Sequence, residues 1–297
     1  MRVDARCAAL ALTLVVLIGA AARAEPGGST AAHHYSLLAY SAAMEGRKAE
    51  TLAAAAAAGQ SESLATALAM GGSGWELTAQ YAALVRFGLW DEMLAVLPPD
   101  ARAPGLSAGY LYGRGVALAA RGRIAEAGEA RAALHALGAG LPESQHLLRG
   151  VVAVAEPIVA ARIAASEGKI DEAVAELQRA VAGEDRLPYD EPAVWFFPVR
   201  HLLGAQLLIA GRAVQAERAY REDLERNPAN GWSLYGLAAA LRAQGRLREA
   251  AQVSAQFETA WRHADVRLRA PAFWFAGPDT RSCECQRPSS AKAADGW

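Results

Sequence analysis

The chain has 297 residues, 53% of them hydrophobic and 21% charged, with a formal net charge of −1. Those proportions belong to a folded chain with enough apolar side chain for a sizeable core, and they exclude a wholly disordered one. So even a charge balance also excludes the strongly basic surface that nucleic acid or an anionic membrane would require.

At the N-terminus, Arg2 and Arg6 precede an apolar run over 7–22, and Ala22-Arg23-Ala24 has the small-x-small form of a cleavage site. Residues 1–24 are expected to be a signal peptide cleaved after Ala24. The competing reading is an uncleaved anchor, but the run is shorter than the ~20 apolar residues that span a bilayer. Cys7 has no lipobox before it. The mature chain, with net charge −3, is expected in the periplasm or outside the cell. Such compartments permit disulfides, yet no cysteine lies between Cys7 and Cys283, so the folded body must stand on packing.

Residues 25–31, with glycine, serine and proline, read as a flexible lead-in. The spacing of apolar residues then predicts helices over 33–44 and 49–58, a break at Gly71-Gly-Ser-Gly74, and helices over 75–87 and 90–97, stopped by Pro98-Pro99. Helices over 106–121 and 124–137 follow. A further helix over about 143–155 fits before Pro157, which serves either as a first-turn residue or as a kink. After a helix over 170–181, the prolines and acids of 183–192 predict a loop. From Gly277 onward hydrophobic periodicity is lost, so the body is placed at 32–270 and a disordered tail at 271–297.

From Trp195 to Trp261 one unit is written twice, offset by 34 residues: an apolar helix, a Gly-Arg turn at Gly211 and at Gly245, then an Ala-rich helix. The same turn recurs at Gly46, Gly88, Gly122 and Gly168, and the successive spacings of the six glycines are 42, 34, 46, 43 and 34. Glycine suits a turn that needs a left-handed φ. Ala127, Ala173, Ala216 and Ala250, shortly after the turns, let the second helix approach the first. The period and pattern resemble the tetratricopeptide repeat over about 32–262. That resemblance implies an all-α, right-handed solenoid of about six helix-turn-helix repeats. It also implies a non-catalytic scaffold that holds a protein or peptide partner in its concave groove.

In such arrays the first helix of each pair lines the groove. Mapped here, the inward face carries His33, Ser36 and Tyr40, Trp75 and Thr78, Tyr112, Arg162 and His201, then Trp232, Tyr235 and Arg242, and Arg200 stands beside His201. Trp75, Tyr112, Arg162, Arg200, His201, Trp232, Tyr235 and Arg242 are the candidate partner-binding set, a mixture of aromatic and cationic groups suited to peptide recognition. The plainer reading is that Trp and Tyr fill the gaps between helices. The run 189–201 either forms a lip over the groove or plugs the joint that the insertion opens. The alternative function is a small-ligand or metal-binding protein, possibly enzymatic, using Arg200 and His201.

His33 and His34 point about 100° apart on a helix with no acid at i+3 or i+4, and read as a solvated helix start rather than a metal site. Cys283-Glu-Cys285 lacks a second pair or a nearby histidine to complete a zinc site, and reads as an incidental or crosslinking thiol pair. No catalytic or phosphate-binding signature is present, and neither cofactor nor metal is expected.

Four phrases sharpen the resemblance: Ala42-Ala-Met-Glu-Gly-Arg, Val85-Arg-Phe-Gly-Leu-Trp-Asp-Glu, Tyr189-Asp-Glu-Pro and Asn230-Gly-Trp-Ser-Leu. They are similar to the C-terminal half of larger, uncharacterised bacterial tetratricopeptide-repeat proteins. Ser36 and Leu111 stand where that family carries histidines, which adds a third reading, a paralogue that keeps only the fold.

Overall fold

A computed structural model describes residues 28–69, 72–270 and 272. The expected signal peptide, residues 25–27 of the lead-in, and nearly all of the expected tail, Cys283 and Cys285 included, lie outside them. Among the described residues the secondary structure is entirely helical, with thirteen α-helices. In chain order they are α1 (Gly28–Met44), α2 (Lys48–Ser61), α3 (Leu64–Ala69), α4 (Ala79–Arg86), α5 (Trp90–Ala95), α6 (Pro104–Ala120) and α7 (Ile124–Gly140). They continue with α8 (His146–Ser166), α9 (Ile170–Glu184), α10 (Val199–Ile209), α11 (Ala213–Arg226), α12 (Gly231–Ala243) and α13 (Leu247–Ala260). Sequence neighbours pack as helical hairpins: α1 on α2, α4 on α5, α6 on α7, α8 on α9, α10 on α11 and α12 on α13.

Each of these hairpins turns at one of the six glycines, whose φ values lie between 67° and 75°. A Cβ there would press on the following carbonyl, so an L-residue with a side chain resists that conformation. Beyond four of these turns the second helix lies close to the first because a small side chain faces it. Ala127, Ala173, Ala216 and Ala250 are all at most 1% exposed.

The element boundaries depart from the pattern in three places. The first helix begins at Gly28, ahead of the expected residue 33, and the unforeseen α3 follows its partner. The second pair starts as a short 3-10 turn, Trp75–Leu77, before α4. The helix expected over 143–155 and its successor are one helix, α8, with Pro157 inside it. Proline has no N–H to give the carbonyl four residues back, which is Ala153. Gly183 of α9 lies against that carbonyl, where an added Cβ would come within 3.2 Å. The freed oxygen is thus covered by a helix that approaches without a side chain.

One extended core runs from Leu84 to Ala250 and takes in Ala272. Its tightest joint is at Tyr220, fully buried, whose ring lies between α10 and α12 on the backbones of Gly204 and Gly236. The hairpin α1–α2 differs, because its own core is a patch of alanines, Ala39, Ala54 and Ala55 with Ala79 and Ala83 of α4. Alanines bury little apolar area, so this pair is held weakly by hydrophobic contact.

The two ends of the array meet. The indole N–H of Trp232 in α12 donates to the carbonyl of Ala43 in α1 (2.9 Å), and the Tyr40 hydroxyl donates to Asn227 Oδ1 (3.2 Å). Around the seam Ala43, Phe87, Trp232 and Val266 form a buried cluster, with Phe197, Trp261 and Leu268 against it. Among the described residues no helix is long and apolar enough to cross a membrane.

Candidate functional site

The inner ends of α4, α10, α11 and α12 converge on a buried polar cluster. His201, fully buried in α10, stands between Arg86 of α4 and Asp223 of α11: Nδ1 is 3.0 Å from Arg86 Nη2, and Nε2 is 2.8 Å from Asp223 Oδ2. A guanidinium only donates and a carboxylate only accepts, which sets the tautomer. Nε2–H donates to Asp223, and the Nδ1 lone pair accepts from Arg86. A second proton on the ring would face the Arg86 N–H groups. Burial first, then the charge on Arg86, lowers the His201 pKa below its ordinary value, although Asp223 pulls the other way.

Burial by itself would raise Asp223, but its donors outweigh that effect and hold it at about 2. Besides His201, Ser233 Oγ donates to Oδ2 at 2.6 Å, Asn230 Nδ2 at 2.9 Å, and Asn227 Nδ2 donates to Oδ1 at 3.0 Å. Asn230 also caps α12, its Oδ1 accepting from Ser233 N. The Arg86 guanidinium carbon lies over Trp232, 3.6 Å from the ring centroid, and over Phe197 at 4.8 Å. Burial draws its pKa down to about 9. The cluster therefore holds one cation, one neutral imidazole and one carboxylate, so its buried charges balance.

The aromatic run of the insertion lies beside this cluster and plugs the joint. Trp195 stacks on Trp75 (5.9 Å) and meets Tyr112 edge-on (5.0 Å), while the Trp75 indole N–H donates to Val194 O (3.0 Å). Among the described residues, cavities of about 20 Å³ beside Trp75 and about 30 Å³ beside Arg86 and Trp232 lie around the plug. Each has room for about one water molecule.

Of the candidate residues, the structure brings His201 and Trp232 together through Arg86, and Trp75 and Tyr112 together through Trp195. The other four go elsewhere. Arg200 points away from His201 and grips Asp185 with both terminal nitrogens (2.7 and 2.8 Å), an anchor that Arg226 shares. Tyr235 packs edge-on against Phe257 of α13 (5.4 Å), and the exposed Arg242 donates to Ser254 (2.5 Å). Arg162 is half-buried in α8, with a pKa drawn down to about 10 by burial. Sequence reasoning missed Arg86 and Asp223. The second was visible in principle, since Ala216, Tyr220 and Asp223 share the inward stripe of α11, where a carboxylate is out of place. Among the described residues no three His, Cys, Asp or Glu side chains gather as a metal would need.

Among the described residues a larger open space lies outside this cluster, on the seam. A cleft of about 950 Å³ runs between α1 on one side and α11 to α13 on the other. Tyr40 and Met44 line the first wall, Leu224, Pro228 and Leu234 the second, and Gln256, Thr259, Arg262 and His263 the rim. The His201–Asp223 cluster lies behind it, linked to its surface through Asn227 and Asn230. No family model, curated protein or solved structure matches this chain.

Proposed function

We propose that this chain is an exported tetratricopeptide-type scaffold, non-catalytic, that binds an extended peptide segment of a partner protein. The cleft on the seam is placed as the binding site. The carrying observation is its size and lining. At about 950 Å³ it lies at the upper end of the range of ligand sites, with apolar walls and a rim of amide, hydroxyl, basic and acidic groups. The tandem 34-residue period and the six glycine turns support the repeat assignment, and the basic-apolar-small pattern of residues 1–24 supports export. Weighing against a reaction at His201 are its complete burial, the engagement of both ring nitrogens, and neighbouring cavities too small for a substrate.

Gln256 is exposed on the cleft rim, so Gln256→Trp fills the cleft without touching the core. Peptides selected from a random library on the mature chain should bind it and lose at least about tenfold in affinity for this variant. Circular dichroism should be unchanged. A library that yields no binder, or binders indifferent to Gln256→Trp, overturns the reading.

A further inference from the structure

We infer that the segment 261–266 is a strap that fastens the last helix pair to the first, and that the cleft is assembled only while it is fastened. The cleft's two walls come from opposite ends of the chain. Tyr40, Ser41 and Met44 stand on α1, whereas Leu224 and Leu234 stand on α11 and α12. Whatever holds α1 in place therefore builds the site.

The strap makes its hold at the start of α2. A helix leaves its first backbone N–H groups without partners, and a local side chain usually accepts from them. Here the local N-cap is Arg47, which makes no capping bond. The acceptor comes instead from 217 positions away. Asp265 Oδ1 accepts from Lys48 N at 2.6 Å and Oδ2 from Ala49 N at 2.8 Å. Its own N–H donates to Gly46 O at 3.2 Å. A carboxylate at that helix end is also favoured by the helix dipole.

Trp261 supplies the apolar half of the fastening. Its ring lies on the backbones of Gly46 in the α1–α2 turn and Gly231 at the start of α12, so close that a Cβ would come within 2.3 and 2.1 Å respectively. Only glycine at both places lets one indole touch both ends of the array. The Trp261 N–H donates to Val266 O (2.9 Å), which closes the strap's own loop, and Val266 is buried in the seam. Beyond its alanine core, with Leu52 and Phe196 against it, α1–α2 is held at the seam by Trp232–Ala43 and Tyr40–Asn227, and the strap adds to those links, so releasing it loosens this pair ahead of the rest of the array.

The binding half of this inference rests on the peptide reading above; the strap itself is tested without any ligand. The measurement is amide hydrogen exchange on the intact mature chain carrying Asp265→Ala, with Asp265→Asn as a milder variant that keeps one acceptor. Peptides from α1 and α2 should exchange at least about tenfold faster in Asp265→Ala and by less in Asp265→Asn, while α8 and α9 stay at the wild-type rate. Unchanged α1–α2 exchange overturns the strap, as does uniform acceleration across all helices. With a library-selected peptide, affinity should fall as the closed fraction falls. If exchange accelerates locally while a peptide that Gln256→Trp blocks binds Asp265→Ala undiminished, assembly of the cleft by the strap is overturned. If no peptide binds even the wild type, the peptide reading fails and the strap stands on its exchange result.

Discussion

Trp232 is where the groove reading and the packing reading separate. Its side chain is 1% exposed, its indole N–H is spent on Ala43 O, and its face carries the Arg86 guanidinium. Replacing Trp232 by alanine removes a fully buried ring, a change that costs about 3–5 kcal/mol in well-packed cores. It also leaves the Ala43 carbonyl without its donor, about 1 kcal/mol more, and strips a desolvated cation–π contact from Arg86. These losses share atoms and do not simply add, so the expected destabilisation is about 5 kcal/mol. That is a large part of the 5–15 kcal/mol typical of a whole domain. Trp232→Phe keeps most of the ring and gives up mainly the N–H bond, for about 1–2 kcal/mol. Urea melts followed by far-UV circular dichroism measure both variants. A Trp232→Ala protein within about 1 kcal/mol of wild type, yet unable to bind a selected peptide, would refute the packing argument and make Trp232 a groove residue.

Two glycines should respond to alanine for different reasons. Gly236→Ala drives a Cβ to 2.2 Å from the trapped Tyr220 ring and should cost about 3 kcal/mol in a urea melt, outweighing alanine's better helix propensity. Gly211 has open space around it but φ 71°, so Gly211→Ala should cost only about 1 kcal/mol. Tyr220→Phe should leave stability unchanged or raise it by about 1 kcal/mol, because the buried hydroxyl has no hydrogen-bond partner among the described residues. Acid should erode stability in two steps. His201 is held neutral below its ordinary 6.5, so the unfolded chain gains a proton first and stability declines as pH falls below about 6.5. Asp223 is held below its ordinary 3.8, so it contributes stability that is fully present above pH ~4 and lost as pH falls further through its folded value. Glu184 acts in the opposite sense. Burial raises it to about 8 from 4.5, so the unfolded chain sheds its proton first and stability declines as pH rises through that interval. Melting temperatures against pH should therefore peak in weak acid, and Glu184→Gln should flatten the decline above pH ~6.5.

The seam changes how the inward aromatic residues are read. A concave face lined by Trp75, Tyr112, His201 and Trp232 invites a ligand if it stays open. In this fold the insertion puts Trp195 and Phe197 into that space, and the joined ends of the chain leave the open surface at the cleft instead. Tyr40 is the one inward-face position named from the sequence that lines the cleft.

What the sequence determined by itself was local. Apolar spacing at helical period marked most helices, because side chains three and four apart share a face whatever the rest of the chain does. Glycine marked the turns, because handedness at one residue is decided by that residue's own Cβ. Alanine after the turn marked close approach of partners adjacent in sequence. Tertiary structure alone decided which inward side chains would meet. Arg86 reaches His201 across 115 positions, Trp232 reaches Ala43 across 189, and Asp265 reaches Lys48 across 217. Those meetings follow from how each helix pair packs on its neighbours and from the bulk of the inserted loop. No short window of sequence contains that packing, because it is set between helices that are already formed.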